Sequence, residues 1–181
     1  MSKIFNFGET IEGYEIKMFN EREARAGAGI LFLLALLSFL NCIYTKDISI
    51  TQLFIGLFLV EFSIRVLINP KYAPSLIIGR FMVKGQTAEY VGATQKRFAW
   101  GLGLLLAFFL FSLTTLFPSN TPIGEESLHN MFIGLSCIVC LTLLYFEAVF
   151  GICLGCKLYK LFNRQNTKYC TENSCKNSKK N

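Results

Sequence analysis

The sequence predicts an all-α membrane protein, a four-transmembrane-helix bundle with N and C termini cytoplasmic. Three observations carry this expectation. Hydrophobic residues make up 52% of the 181 residues and charged residues 17%, against about 25% charged in an average soluble domain. The apolar residues gather in four blocks of spanning length, since a hydrocarbon core of ~30 Å takes ~20 residues of helix. Seventeen of the eighteen lysines and arginines fall in three segments that four spans place on one side, and only Lys46 falls on the other. Such a one-sided excess marks the cytoplasmic face.

The elements follow in chain order. Residues 1–23 are polar and mixed in charge, which suits a cytoplasmic arm and not a signal peptide. Glu12-Gly13 suits a hairpin turn, and Asn20 followed by Glu23 suits a helix start with a variant capping box. The first span covers about 24–44. Its opening run, Ala24-Arg25-Ala26-Gly27-Ala28-Gly29, is small enough to let helix backbones approach closely in lipid. The second span covers about 50–68 and ends at Asn69-Pro70, because proline lacks the amide proton and restricts the residue before it. Residues 75–83 are apolar but too short to span, and suit the membrane interface. The third span covers about 98–117, stopped by Pro118, and the fourth about 128–151. The fourth either runs on to Leu161 as an amphipathic helix or breaks near Gly151. Residues 162–181 form a polar, lysine-rich tail with the composition of a disordered segment.

The net charge of +6 is accounted for by topology, so no nucleic-acid partner is expected. Seven cysteines in a chain of this kind do not make a secreted disulfide scaffold.

Charged side chains inside a span are costly, at least ~2.5–3.5 kcal/mol at the bilayer centre. Glu61 and Arg65 share a helical face at i,i+4 and suit an ion pair, either as packing or as a polar pocket. Glu147 has no basic residue nearby in its own helix. It suits an acid/base role, or pairing with Arg65 or Arg97 from another helix. Two CxxC pairs occur, Cys137/Cys140 and Cys153/Cys156. A shared zinc is excluded for one continuous helix, where Cys137 and Cys156 stand roughly 28 Å apart. Cys137 and Cys140 suit small buried apolar groups. Cys153 and Cys156 lie at the membrane boundary beside Lys157, where a cation favours thiolate; metal binding and a structural or incidental role are the alternatives. A helix running through them would oppose thiolate with its C-terminal dipole, and a break near Gly151 would favour it. Cys170 and Cys175 suit resolving thiols or incidental ones. Cys42 has no evident partner, and a lone His129 makes a poor metal site. No phosphate-binding loop, serine triad motif or HExxH is present, and no cofactor or metal is expected.

Several segments together resemble a family of small bacterial four-span membrane proteins of unassigned function, with a C-terminal FGxCLGC motif. They are Asn20-Glu21-Arg22-Glu23-Ala24-Arg25, Glu61 through Arg65, Asn69 through Pro74, Lys96-Arg97-Phe98-Ala99 and Glu147 through Cys156. The resemblance implies a bacterial inner membrane, and relatives that accompany thioredoxin-like proteins and sulfurtransferases. Three functions stay open. One is thiol redox or sulfur handling by Cys153 and Cys156, with Glu147, Glu61 and Arg65 shaping a polar pocket. Another is a small transporter or channel using Glu61 and Glu147. The third is a non-catalytic scaffold. The lipid bilayer is the expected partner, and pairing of two copies is compatible with so small a bundle.

Overall fold

Asn20 opens the first helix as its sequence demands. Its side-chain oxygen accepts from Arg22 N–H at 3.1 Å, and its amide donates to Glu23 at 3.2 Å. One of the orphan backbone N–H groups at the helix start is thereby satisfied, and the second bond fixes the capping side chain. The computed structural model describes residues 7–12, 16–46, 49–116 and 128–162. Residues 13–15 of the expected hairpin turn, the loop at 118–127 and the tail with Cys170 and Cys175 lie outside them.

Among the described residues, four helices are long and apolar enough to cross a membrane: Glu21–Thr45, Ser49–Ile68, Ala93–Leu116 and Asn130–Phe150. We call the first α1. Helix α2 (Ser49–Ser63) runs on as a π-helical turn at Ile64–Ile68. The third is α4 (Ala93–Leu116), and α5 (Leu128–Tyr145) runs on as a π-helical turn at Phe146–Phe150. Two short α-helices, α3 (Pro74–Met82) and α6 (Leu154–Phe162), and a 3-10 turn at Pro70–Tyr72 are also present among the described residues. Round the bundle, α1 packs on α2 and α5, and α4 packs on the same two. Three of the long helices turn a buried stripe at helical spacing toward the axis. The stripes are Ala24, Ala28 and Leu31 on α1, Ile55, Phe58 and Phe62 on α2, and Trp100, Ala107 and Leu110 on α4. The opposite faces carry exposed Leu33, Leu37, Leu53, Leu57, Leu105 and Phe108. That outward apolar surface suits lipid, in which close packing and polar contacts hold helices together.

All the short elements lie at one end of the bundle. Strand β1 (Met18–Asn20) pairs antiparallel with β2 (Tyr90–Gly92), with Phe19 opposite Val91. Glu9 also bridges Met18, so the arm folds back on itself. Strand β1 leads directly into α1 and β2 directly into α4, so their pairing brings the starts of two diagonal helices together. That is why α4 begins at Ala93, in place of the expected Phe98, and why Lys96 lies in a helix and not in a loop. Helix α3 packs against the small-residue opening of α1, with Gly79 facing Gly27 and Ala26. It buries Leu76 and exposes Ile77, Ile78, Phe81 and Met82, the amphipathic pattern expected of an interfacial helix.

Candidate functional site

Helix α5 does not run through to Leu161. It stops at Gly151, which adopts φ 65°, a left-handed conformation that favours glycine. A Cβ there would also lie 3.1 Å from Arg25 Nε. The chain then turns, and Cys153 occupies the position just before α6. Its carbonyl accepts from Lys157 N–H at 3.1 Å, the first bond of the new helix. Its sulfur accepts from Cys156 N–H at 3.3 Å, as a helix N-cap does. The Cys156 thiol donates to the same sulfur, with the two sulfurs 2.6 Å apart. Both cysteines are reduced. Gly155, between them, is dictated by a neighbour: a Cβ on it would stand 2.6 Å from the Cβ of Ala99. Helix α6 therefore crosses α4 at close range, and both thiols are buried, only 4% and 5% exposed.

This hydrogen bonding sets the thiols apart. The Cys156 S–H group lowers the Cys153 pKa, burial opposes it, and the cation of Lys96 adds to the lowering. The same bond, reinforced by burial, pushes Cys156 well up. One sulfur is thereby biased toward thiolate and the other holds its proton.

Lys96 is the residue that the sequence reading overlooked. It is fully buried and its Nζ lies 2.7 Å from Glu147 and 3.0 Å from Glu21. Glu147 thus pairs with Lys96, not with Arg65 or Arg97. Arg97 instead sits over the Phe7 ring. A signal for both missed partners was available. Glu21 falls in step with Ala24, Ala28 and Leu31, and Lys96 with Trp100, Gly103 and Ala107, so each charge stands on a core-facing stripe.

Glu61 and Arg65 do pair, at 2.9 Å. Ser75 of α3 completes the group by accepting from Arg65 and donating to Glu61. Glu61 also accepts the Ser75 backbone N–H at 3.4 Å, placing a carboxylate at the start of α3, where the helix dipole favours it. The Arg65 guanidinium stacks between Phe62 and Trp100, 5.3 and 5.1 Å from their centroids. These contacts fasten α2 to α3 and connect, through Trp100, to the Lys96 side. Both charged groups coincide with π-helical turns, at Arg65 and at Glu147, a feature frequent at functional sites.

A cavity of about 150 Å³ runs between α1, α2, α4 and α5 and opens onto the bundle surface. Cys153, Glu147 and Trp100 line one end, Cys137 and Cys140 lie along it, and Ser38 and Thr51 lie at the other. Cys137 and Cys140 sit on α5 away from the charged cluster, and no shared metal set with Cys153 and Cys156 forms. Among the described residues no group of three or more His, Cys, Asp or Glu could hold a metal.

No curated protein and no solved structure matches the chain. Residues 19–164 match a family model described as "Domain of unknown function (DUF4395)", and the chain belongs to that family.

Proposed function

We propose that this protein is a membrane-embedded thiol-redox component in which Cys153 and Cys156 form a reversible dithiol–disulfide couple. The observation that carries this reading is the asymmetric pair itself. Cys153 caps the start of α6, accepts two hydrogen bonds from Cys156 and lies beside the cation of Lys96. Such surroundings favour the thiolate, the form that attacks sulfur. Cys153 is the nucleophile. Its thiolate would attack the disulfide of a thioredoxin-like protein, expelling one partner sulfur as thiolate to give a mixed disulfide that Cys156 resolves, and the same steps in reverse let that protein's dithiol reduce an oxidised Cys153–Cys156 pair. The Cys156 sulfur attacks Cys153, the Cys153–Cys156 bond forms, and the partner leaves as a thiolate. Glu147, held by Lys96, is the nearby group able to take the Cys156 proton. Glu61 and Arg65 position α2 and α3 around Trp100. The charge division favours an inner-membrane location with both termini, and this site, on the cytoplasmic side.

N-Methylmaleimide is small and uncharged enough to enter the cavity and forms a thioether that Cys156 cannot displace, so the thiol reaction is read with it against pH. Cys153 modification should rise with pH to a midpoint below the ordinary ~8.5, because its pKa is lowered and only its thiolate reacts. Cys137 and Cys140, packed in the span, should react more slowly at neutral pH. In the oxidised protein, peptide mapping should show a Cys153–Cys156 disulfide that a dithiol reductant opens. A Cys153 midpoint at or above ~8.5 would remove the case for a nucleophile.

A further inference from the structure

We propose that the bundle cavity is the binding site of a lipid-soluble quinone, and that this quinone is the two-electron acceptor for Cys153 and Cys156. The inference rests on the thiol-redox reading and names the oxidant that such a couple needs.

Size comes first. An apolar cavity near 150 Å³ is known to take a single benzene ring, and this one is about 150 Å³. The lining is almost wholly apolar: Ile55, Phe58, Ala107, Leu110 and Leu144 surround its middle. A ring of that size would fill it, and the opening lets an isoprenoid tail pass out between helices into lipid. An alkyl chain would also fit by size, so shape alone does not choose the ligand.

Two polar features choose it. Trp100 lines the cavity at the thiol end and is 2% exposed, and its indole N–H has no hydrogen-bond partner among the described residues. An orphaned buried donor is costly, and a quinone carbonyl is the acceptor it lacks. A saturated chain offers none. Cys153 lines the same end of the cavity, which brings the more acidic sulfur and the ring into one space. Glu147 lines it too and is bound to Lys96, so a proton acceptor stands beside the thiols.

The chemistry balances without a further reagent. The two S–H bonds of Cys153 and Cys156 are lost and one S–S bond forms. The sulfurs already stand 2.6 Å apart, so little motion is needed to close toward the ~2.05 Å of a disulfide. The two electrons enter the quinone ring and the two protons end on its oxygens, giving a hydroquinone. A protein dithiol would then return the pair to its reduced form.

Trp100 is the sole tryptophan, so its fluorescence reports on this cavity, and quinones quench indole emission. The full chain in lipid nanodiscs, pre-reduced, is titrated with decylubiquinone. The proposal expects saturable quenching, one quinone consumed per protein, and conversion of Cys153 and Cys156 to a disulfide. Cys153→Ser should still quench but consume no quinone. Ala107→Phe and Leu110→Phe, which fill the cavity from two positions on α4, should lose quenching while a water-soluble oxidant such as diamide still forms the disulfide. Failure with diamide as well as with quinone in the unaltered chain would sink the thiol-redox reading itself. Success with diamide alone would overturn only the quinone site. So would equal displacement by decanol, which would show a site for alkyl chains, or undiminished quinone reduction in both filled variants.

Discussion

Lys96 holds two carboxylates from two other helices, Glu21 from α1 and Glu147 from the end of α5, and it is itself fully buried. Losing one member of such a group leaves the others buried without compensation, which costs roughly 3–5 kcal/mol. Lys96→Met should therefore destabilise the folded bundle by about that amount, read from unfolding in mixed micelles. The same change removes a cation that lowers the Cys153 pKa, so the midpoint of Cys153 modification should move upward. The sign follows from the charge: less positive potential disfavours thiolate. Unchanged stability together with an unchanged midpoint would mean that Lys96 is a bystander. Glu61→Gln should act differently. It breaks the α2–α3 fastening, lowers stability, and leaves the Cys153 midpoint in place, because Glu61 acts on Arg65 and Ser75 and makes no contact with the thiols. At this scale the sequence was only half legible. The Glu61–Arg65 pair could be read because both partners lie on one helix at i,i+4. Lys96 could not be paired by spacing, since its partners stand 75 and 51 residues away.

Helix α6 owes its place to two glycines with different reasons. Gly151 lets the chain leave α5 with a positive φ, and Gly155 lets α6 lie directly on Ala99. Together they convert what would be a helix C-terminus, unfavourable for a thiolate, into a helix start, which favours it. Gly155→Ala should push α6 off α4, because its Cβ would come within 2.6 Å of the Ala99 Cβ. Cys153 would then move away from Lys96, and its midpoint should return toward ~8.5 while the four long helices persist by circular dichroism. Ala99→Gly in the same chain removes the Cβ contact but leaves the backbone Cα of residue 99 at 2.7 Å from the new Cβ, so it should restore the low midpoint only in part, giving a non-additive double-mutant cycle. Additive effects would show that the close crossing does not place the thiols. The break at Gly151 was one of two arrangements open from sequence, since an apolar run with lysines beyond it fits a continuous amphipathic helix equally well. What decided it was Arg25 of α1 packed against Gly151 and Ala99 of α4 packed against Gly155, contacts that local pattern does not carry.

At the scale of the whole molecule, the four spans were legible because lipid imposes a length and a composition that a single segment must satisfy alone. The charged site was not, because three separate helices build it, and the two-stranded pairing of Met18–Asn20 with Tyr90–Gly92 brings two of them together. The arrangement nevertheless agrees with the charge division. The end that carries β1, β2, α3, α6 and the Lys96 group is also the end at which the basic segments before α1, between α2 and α4, and after α5 converge. Lys46 stands at the opposite end, after α1. If the basic end is cytoplasmic, a membrane-impermeant maleimide added to intact cells should label Lys46→Cys and leave Lys84→Cys unlabelled until the membrane is opened. Both tests belong in a chain whose native Cys42, near Lys46, and tail cysteines Cys170 and Cys175 are replaced by serine, so that labelling reports the introduced thiol. Labelling of Lys84→Cys in intact cells would invert the bundle. It would put Cys153 and Cys156 on the outer side, where disulfides persist more readily, and the partner dithiol would then have to be sought outside the cytoplasm.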